Sequence, residues 1–293
     1  MDNAIRFDKN GIGKNDVGVK VFINKDENNN IVGYSINQES VDLNSYLYAE
    51  KLFLSLISKE LGYSNDSKKY ISESQKIKDY VRKYMFDKKT GFFYDLQISE
   101  DGTRKKLLVN RGKGSEGYIP LWANLASKKQ AESVRNNIIN ENMFNTYMPF
   151  PTASKDNLNF DEEKYWRGPV WLDQALFGIE ALKNYGYSED AISMTKKLFE
   201  HADGLFDGKP IRENYNPQTG EGMNAMNFSW SASSYYLVYK NLLDENWNTI
   251  CDIKNIKIHK EVKTLNKGIA IGSLTLLGLA VLGYKFSKNR NNK

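Results

Sequence analysis

Helix-forming segments follow one another along most of this chain, and the stretches joining them are aromatic and polar where a mere connector would be bland. SVDLNSYLYAEKLFLSLISKELGY places apolar residues at 43, 47, 53, 54, 56 and 57 and ends at Gly62, a helix stop signal. NDSKKYISESQKIKDYVRKYMF puts Ile71, Ile77, Tyr80, Val81 and Tyr84 on one face. Further helices are expected at 128–139, 169–185, 187–203 and 227–243. Strand patterns are confined to small hairpins: VGVKVFIN and IVGYSI flank KDENNN, and GFFYDLQ and LLVN flank an Asp-Gly turn. Asp26, Asn28 and Asn30 alternate in the first turn but lack the glycine and distal glutamate of a calcium loop, so a plain hairpin turn is read there. Helical hairpins with elaborated loops fit either an α/α toroid or a helical solenoid. No fixed repeat period is visible, which counts against the solenoid. In a toroid the loops at one end converge, and function tends to sit there.

At 293 residues the chain is long enough for one large core or two ordinary ones. Its net charge of +5 invites a nucleic-acid reading, but the charge is local. Residues 252–293 hold nine Lys/Arg against Asp252 and Glu261, which leaves 32 basic and 34 acidic residues before them. The body is faintly acidic, and a nucleic-acid footprint is not supported. The single cysteine, Cys251, excludes an internal disulfide and a cysteine metal cluster. Two histidines, His201 and His259, leave little for a His-rich metal site or a Ser-His-Asp triad. Chemistry must run on carboxylates, tyrosines or arginines.

The end of the chain reads differently from the rest. GIAIGSLTLLGLAVLGY, residues 268–284, is uncharged between Lys267 and Lys285. As a helix it would span about 25 Å, close to the roughly 30 Å hydrocarbon layer with help from flanking lysines. The expected organisation is a catalytic body at 1–247, a basic linker at 248–267, a transmembrane anchor at 268–286 and a basic tail at 287–293. Lys285, Lys288, Arg290 and Lys293 argue for a cytoplasmic C-terminus and an external body, yet MDNAIRFDKNGIGKND has no apolar core of a signal peptide.

Three connecting segments concentrate unusual residues. YWRGPVW, 165–171, crowds a tyrosine, Trp166, Arg167 and Trp171 around Gly168 and Pro169 at a helix entrance. The tryptophans read either as core anchors or as a sugar platform, with Arg167 holding hydroxyls or a carboxylate. IRENYNPQTGEG, 211–222, is a constrained turn in which Glu213 sits between Arg212 and an Asn-Tyr-Asn-Pro run. A carboxylate on a rigid loop can serve as a general base. Glu213 equally reads as a partner of Arg212 or as a helix cap. NFSWSASSYY, 227–236, opens a helix, where Trp230 lines a pocket or fills the core as Tyr235 and Tyr236 do.

WRGPVW, ENYNPQTGEG and FSWSASSYY, in this order and spacing, resemble glycoside hydrolase family 63, and the likeness extends upstream through GYSINQESVDLNSYLYAEKLFL and RGKGSEGYIPLWANLAS. The resemblance covers nearly all of residues 1–245. It implies a mainly α fold: an incomplete (α/α)6 toroid of helical hairpins with small β-hairpins, to which the sequence adds the C-terminal transmembrane helix. It implies inverting hydrolysis of α-glucosidic bonds by an aspartic acid and a glutamic base. Glu213 in ENYNP matches the base. The family segment carrying the acid is similar to MDNAIRF, so Asp2 matches the acid and Asn3 and Arg6 its neighbours. Substrate contacts are expected from Trp166, Arg167, Gly168, Trp171, Asn214, Tyr215 and Trp230. No metal or cofactor is implied. The ligand is expected to be an oligosaccharide or small α-glucoside.

Because the likeness starts inside the acid's motif, the preceding helices and N-terminal β domain of the family are expected to be missing. A separately encoded N-terminal half is one expected partner, and a body exported in a longer ancestor is the expected origin. The alternative function is a membrane-anchored carbohydrate-binding remnant without turnover.

Overall fold

The computed structural model describes residues 20–205 and 208–243. An antiparallel hairpin of β1 (Val21–Lys25) and β2 (Ile31–Ile36) comes first. Asp26 shapes its turn, accepting hydrogen bonds from the amides of Asn28 and Asn30 at 2.9 and 2.8 Å. A short strand β3 (Gln38–Glu39) leads into α1 (Val41–Glu60) and α2 (Ser64–Tyr84). These helices form a hairpin around Gly62, whose φ of 84° gives the left-handed turn a side chain would resist. Small strands β4 (Phe86–Asp87), β5 (Phe92–Phe93), β6 (Leu96–Ile98) and β7 (Lys105–Leu107) follow. β4 pairs with β5, while β6 lies between β3 and β7. Then come a one-turn helix α3 (Ile119–Trp122), α4 (Lys128–Ile138), α5 (Leu172–Asn184) and α6 (Ser188–His201). The hairpin β8 (Arg212–Tyr215) and β9 (Gly222–Met226) precedes α7 (Ser229–Leu243).

Helix α5 is the axis of the packing. All its residues except Phe177 and Lys183 are buried, and α3, α6 and α7 pack around it. Its apolar residues Leu172, Leu176, Ile179 and Leu182 are all buried. A helix buried on every side must satisfy its polar groups internally. Glu180, fully buried, accepts the indole N–H of Trp122 at 2.8 Å, and Asn184 donates to the Trp122 carbonyl at 2.7 Å. Tyr118 donates to the Gln174 carbonyl at 2.9 Å. The α4 start is closed by a capping box between Ser127 and Gln130.

Apolar positions do not all turn inward, and one core expectation is corrected. In α1 the apolar residues Leu43 and Leu47 point outward, Leu43 being 56% exposed. The buried residues are Val41, Asp42, Ser45, Tyr48, Ala49, Leu52, Ser55 and Ser58. Serines serve there because their hydroxyls are satisfied close by: Ser45 donates to the Val41 carbonyl, and Ser55 meets Ser67 of α2 at 3.0 Å. In α7, Tyr235 packs against Phe199 as expected, but Tyr236 is exposed.

The expected fold class is corrected as well. Among the described residues the fold is helical with small antiparallel hairpins, and no helix is long and apolar enough to cross a membrane. The transmembrane helix placed at 268–286 lies outside the described residues, and so do the basic linker and tail.

Candidate active site

Four segments far apart in sequence lie side by side at one end of the helices, joined by backbone bridges. Gly114 bridges Ala153, Pro151 bridges Val170, and Val170 bridges Tyr215. The hydrogen bonds run from Ser115 N–H to the Thr152 carbonyl (2.9 Å) and reciprocally between Val170 and Tyr215 (2.8 and 2.9 Å). The RGKGSEGY, WRGPVW and ENYNP motifs are therefore neighbours, ordered by main-chain bonding that does not depend on their side chains. Helix α5 starts later than its sequence suggests, with Trp171 as its N-cap, because Val170 is held in this bridged array. Gly168 is required by a close approach: a Cβ there would sit 2.2 Å from the Asp161 carbonyl oxygen.

Glu213 stands on strand β8, where a plain loop was expected. The pairing of β8 with β9 slips here: Arg212 faces Met226 while Asn214 faces Met223, so β9 carries an extra residue opposite Glu213. Such a bulge re-aims nearby groups. Asn224 takes the left-handed conformation the bulge needs (φ 58°), and asparagine tolerates it better than most side chains. Its side chain donates to Asn214 Oδ1 at 2.8 Å, and its carbonyl accepts from the Arg212 guanidinium at 2.8 Å. The bulge leaves the Ala225 amide free of the ladder, and it donates to Glu213 Oε2 at 3.2 Å. The other carboxylate oxygen, Oε1, accepts the Tyr165 hydroxyl. The Ser231 hydroxyl donates to the Glu213 carbonyl at 2.9 Å, tying the strand to the first turn of α7. Arg212 thus bonds the bulge, and a hydroxyl and an amide hold the carboxylate.

The aromatic residues form a stack. Trp166 and Trp171 lie face to face, centroids 4.2 Å apart and planes 5° apart, and are 8% and 2% exposed. The Trp171 indole donates to the Tyr165 carbonyl at 2.9 Å. Phe228 and Trp230 meet Trp171 at 6.4 and 5.9 Å. Trp230, 50% exposed, turns the largest open ring surface of the set to solvent. Arg167 is buried. Asn214 and Tyr215 are fully buried, and the Asn214 amide nitrogen has no hydrogen-bond partner among the described residues. The Tyr215 hydroxyl accepts the Arg212 amide at 3.1 Å, and burial pushes its pKa up. Asp2, Asn3 and Arg6 lie outside the described residues.

Sequence reading passed over four contributors: the Tyr165 hydroxyl, the Ala225 amide, Asn224 and Ser231. Tyr165 was visible as the first letter of YWRGPVW, but an amide at a bulge leaves no mark in a sequence. Asp173, two residues beyond that motif, was also missed. It is buried, and desolvation raises its carboxyl pKa against a bond from Gln174 (2.9 Å) that favours the ionised form. Two clefts lie elsewhere. One of about 860 Å3 is lined by Tyr48, Lys78, Arg82, Ser127, Tyr185 and Tyr187 among others. The other, about 410 Å3, lies where the β8–β9 tip meets the end of α6. Neither is lined by Glu213 or YWRGPVW.

Comparison with known proteins places the chain in a family. The family model of the mannosylglycerate hydrolase MGH1-like glycoside hydrolase domain matches residues 1–231. The chain belongs to this glycoside hydrolase family. A mannosylglycerate hydrolase of Thermus thermophilus is 28% identical over 151 residues, covering 51% of this chain and 33% of the relative. Crystal structures of a GH63 mannosylglycerate hydrolase from a second strain of Thermus thermophilus were solved with glucose and with Tris and D-glycerate. Both superpose with a TM-score of 0.56 at 22% identity over 69% of this chain, covering 45% and 46% of those chains. The chain thus spans about a third to a half of the length of these relatives.

Proposed function

We propose that this chain carries the base side of an inverting glycosidase site that hydrolyses an α-glycosidic bond. The substrate class is an α-glucoside, oligosaccharide or small glycoside, or mannosylglycerate itself. The observation that carries the reading is the placement of Glu213. Its carboxylate is fixed by two donors at the end of the helices where the family motifs meet.

In this reading Glu213 deprotonates a water that attacks the anomeric carbon, and Asp2 donates a proton to the leaving glycosidic oxygen. Inversion requires the two carboxyls about 6.5–9.5 Å apart, so that the water fits between base and sugar. Trp230 offers an open ring to a pyranose face, while Trp166, Trp171 and Arg167 shape the wall behind it. Asn214 and Tyr215 hold the strand from beneath. A base fixed in this way contributes through general-base catalysis and through orientation.

The test is hydrolysis of mannosylglycerate, aryl α-glucosides and glucose disaccharides by the purified chain, with the anomer released followed by NMR. Turnover with inversion, lost by at least about a hundredfold in Glu213→Gln and Asp2→Asn, is expected. Turnover that survives Glu213→Gln would remove the proposal. Binding with no hydrolysis of any of these substrates would replace it by a carbohydrate-binding role.

A further inference from the structure

Within the proposed glycosidase reading, on which this inference rests, one side chain outside the set named from sequence donates to the carboxylate of the candidate base. We propose that Tyr165 is a positioning residue for Glu213, and that the Trp166–Trp171 stack is the brace that holds Tyr165 in place.

A glutamate side chain has several rotatable bonds and swings freely unless both ends of its carboxylate are held. Here each oxygen has its own donor, from a different part of the chain. The Tyr165 hydroxyl reaches Oε1 from the segment before α5, and the Ala225 amide reaches Oε2 from the β9 bulge. Two donors on the two oxygens fix the plane of the carboxylate as well as its position. Each carboxylate oxygen can accept more than one hydrogen bond, so acceptor capacity remains for a water. Hydrogen bonds to an ionised acceptor are also the stronger kind.

A tyrosine can orient a base only if it is itself held. Its carbonyl accepts the Trp171 indole N–H at 2.9 Å. Its ring stands edge-on to Trp171 at 4.9 Å and 84°, and to Trp166 at 6.0 Å and 82°. The two indoles are stacked and nearly buried, and Trp171 is the N-cap of the central helix α5. The load path therefore runs from α5 through the indole stack to the phenol and on to the carboxylate. This gives the aromatic motif a role different from a sugar platform: its indoles turn their faces to each other, and what they deliver to the site is one fixed hydroxyl.

The decisive variant is Tyr165→Phe, which keeps the ring and its packing and removes only the donor. On the best substrate of the chain, kcat is expected to fall about 10–100-fold, with KM changed less than about threefold and Tm unchanged. A tyrosine with only a packing role would leave kcat as it was, and an unchanged kcat overturns the proposal. The second measurement does not use activity. In protein labelled with 13C at the tyrosine ζ carbon, the Tyr165 resonance, assigned by its loss in Tyr165→Phe, is expected to move in Glu213→Ala. A resonance that stays in place shows that the hydroxyl does not serve this carboxylate and overturns the proposal whatever the kinetics. If the chain hydrolyses no glycoside and the resonance moves, the glycosidase reading falls while the Tyr165–Glu213 clamp stands.

Discussion

Replacing Gly220 by alanine tests whether the hairpin bearing Glu213 is positioned by its tip. Gly220 lies in the turn between β8 and β9 with φ 76°, and a Cβ there would sit 1.8 Å from the His201 carbonyl oxygen at the end of α6. Two penalties follow. The left-handed backbone costs an L-residue about 1–2 kcal/mol. The clash is with backbone, so no side-chain rotation relieves it, and the tip must lift. Lifting breaks the bond from the Asp203 amide to the Gly220 carbonyl (2.9 Å) and strains that from the Met148 amide to the Pro217 carbonyl (3.0 Å). At about 0.5–1.5 kcal/mol net each, these add about 1–3 kcal/mol. Gly220→Ala is therefore expected to lose about 2–5 kcal/mol. Gly102→Ala is the control, because Gly102 has a similar φ of 68° and nothing within 4 Å of its Cβ position. It should lose only the backbone share, about 1–2 kcal/mol. Urea denaturation gives both values, and hydrogen exchange at the Asp203 amide reports whether the tip has lifted. Equal losses in the two variants, with Asp203 still protected, would refute the idea that this contact confines the hairpin.

Two further outcomes follow from the buried polar groups. Trp122→Phe removes an N–H donor from the fully buried Glu180 and should lower stability by roughly 2–4 kcal/mol in urea, with part recovered in the double variant with Glu180→Gln. Asp173, whose folded pKa is raised by burial, holds its proton more tightly folded than unfolded, so its contribution is favourable in acid and is lost as pH rises from about 4 through the folded value. Asp173→Asn, which does not titrate, should gain stability relative to the native chain as pH rises from about 4 to about 7, and a gap independent of pH would contradict this.

The parts legible from sequence were those written in apolar periodicity or turn chemistry. Leu172, Leu176, Ile179 and Leu182 announce α5 as a helix because they recur at a 3.6-residue period, although the burial of its other faces, at Gln174, Glu180 and Asn184, is not written in that period. The KDENNN and Asp-Gly turns are equally plain. α1 misleads because its buried face is lined by Ser45, Ser55 and Ser58, whose suitability depends on partners a sequence does not display. The motif residues were visible as a cluster, but their division of labour was not. A tryptophan that stacks on a sugar and one that stacks on another tryptophan look the same in a one-letter string. Likewise, Glu213 and Arg212 are adjacent in sequence and suggest an ion pair, whereas alternation along a strand and the bulge opposite send Arg212 to Asn224 and leave the carboxylate to Tyr165.

The order in which these constraints act explains how a low overall identity can coexist with a recognisable site. The bridges among residues 114, 153, 151, 170 and 215 are main-chain contacts, which most side chains tolerate. What they demand is small: glycine where chains touch, as at Gly168, and residues that can turn left-handed, as at Asn224 and Gly220. Substitutions elsewhere in the loops leave the array intact, so sequence drift is tolerated there. The carboxylate is held differently, by one hydroxyl and one amide, each set by its own scaffold, the indole stack and the bulge. Misplacing a reacting group by about 1 Å can lower a rate roughly a hundredfold. The residues that build those two scaffolds fall within or beside the short motifs, which places the strictest geometric demands on Tyr165, Trp166, Trp171, Asn224 and Ala225.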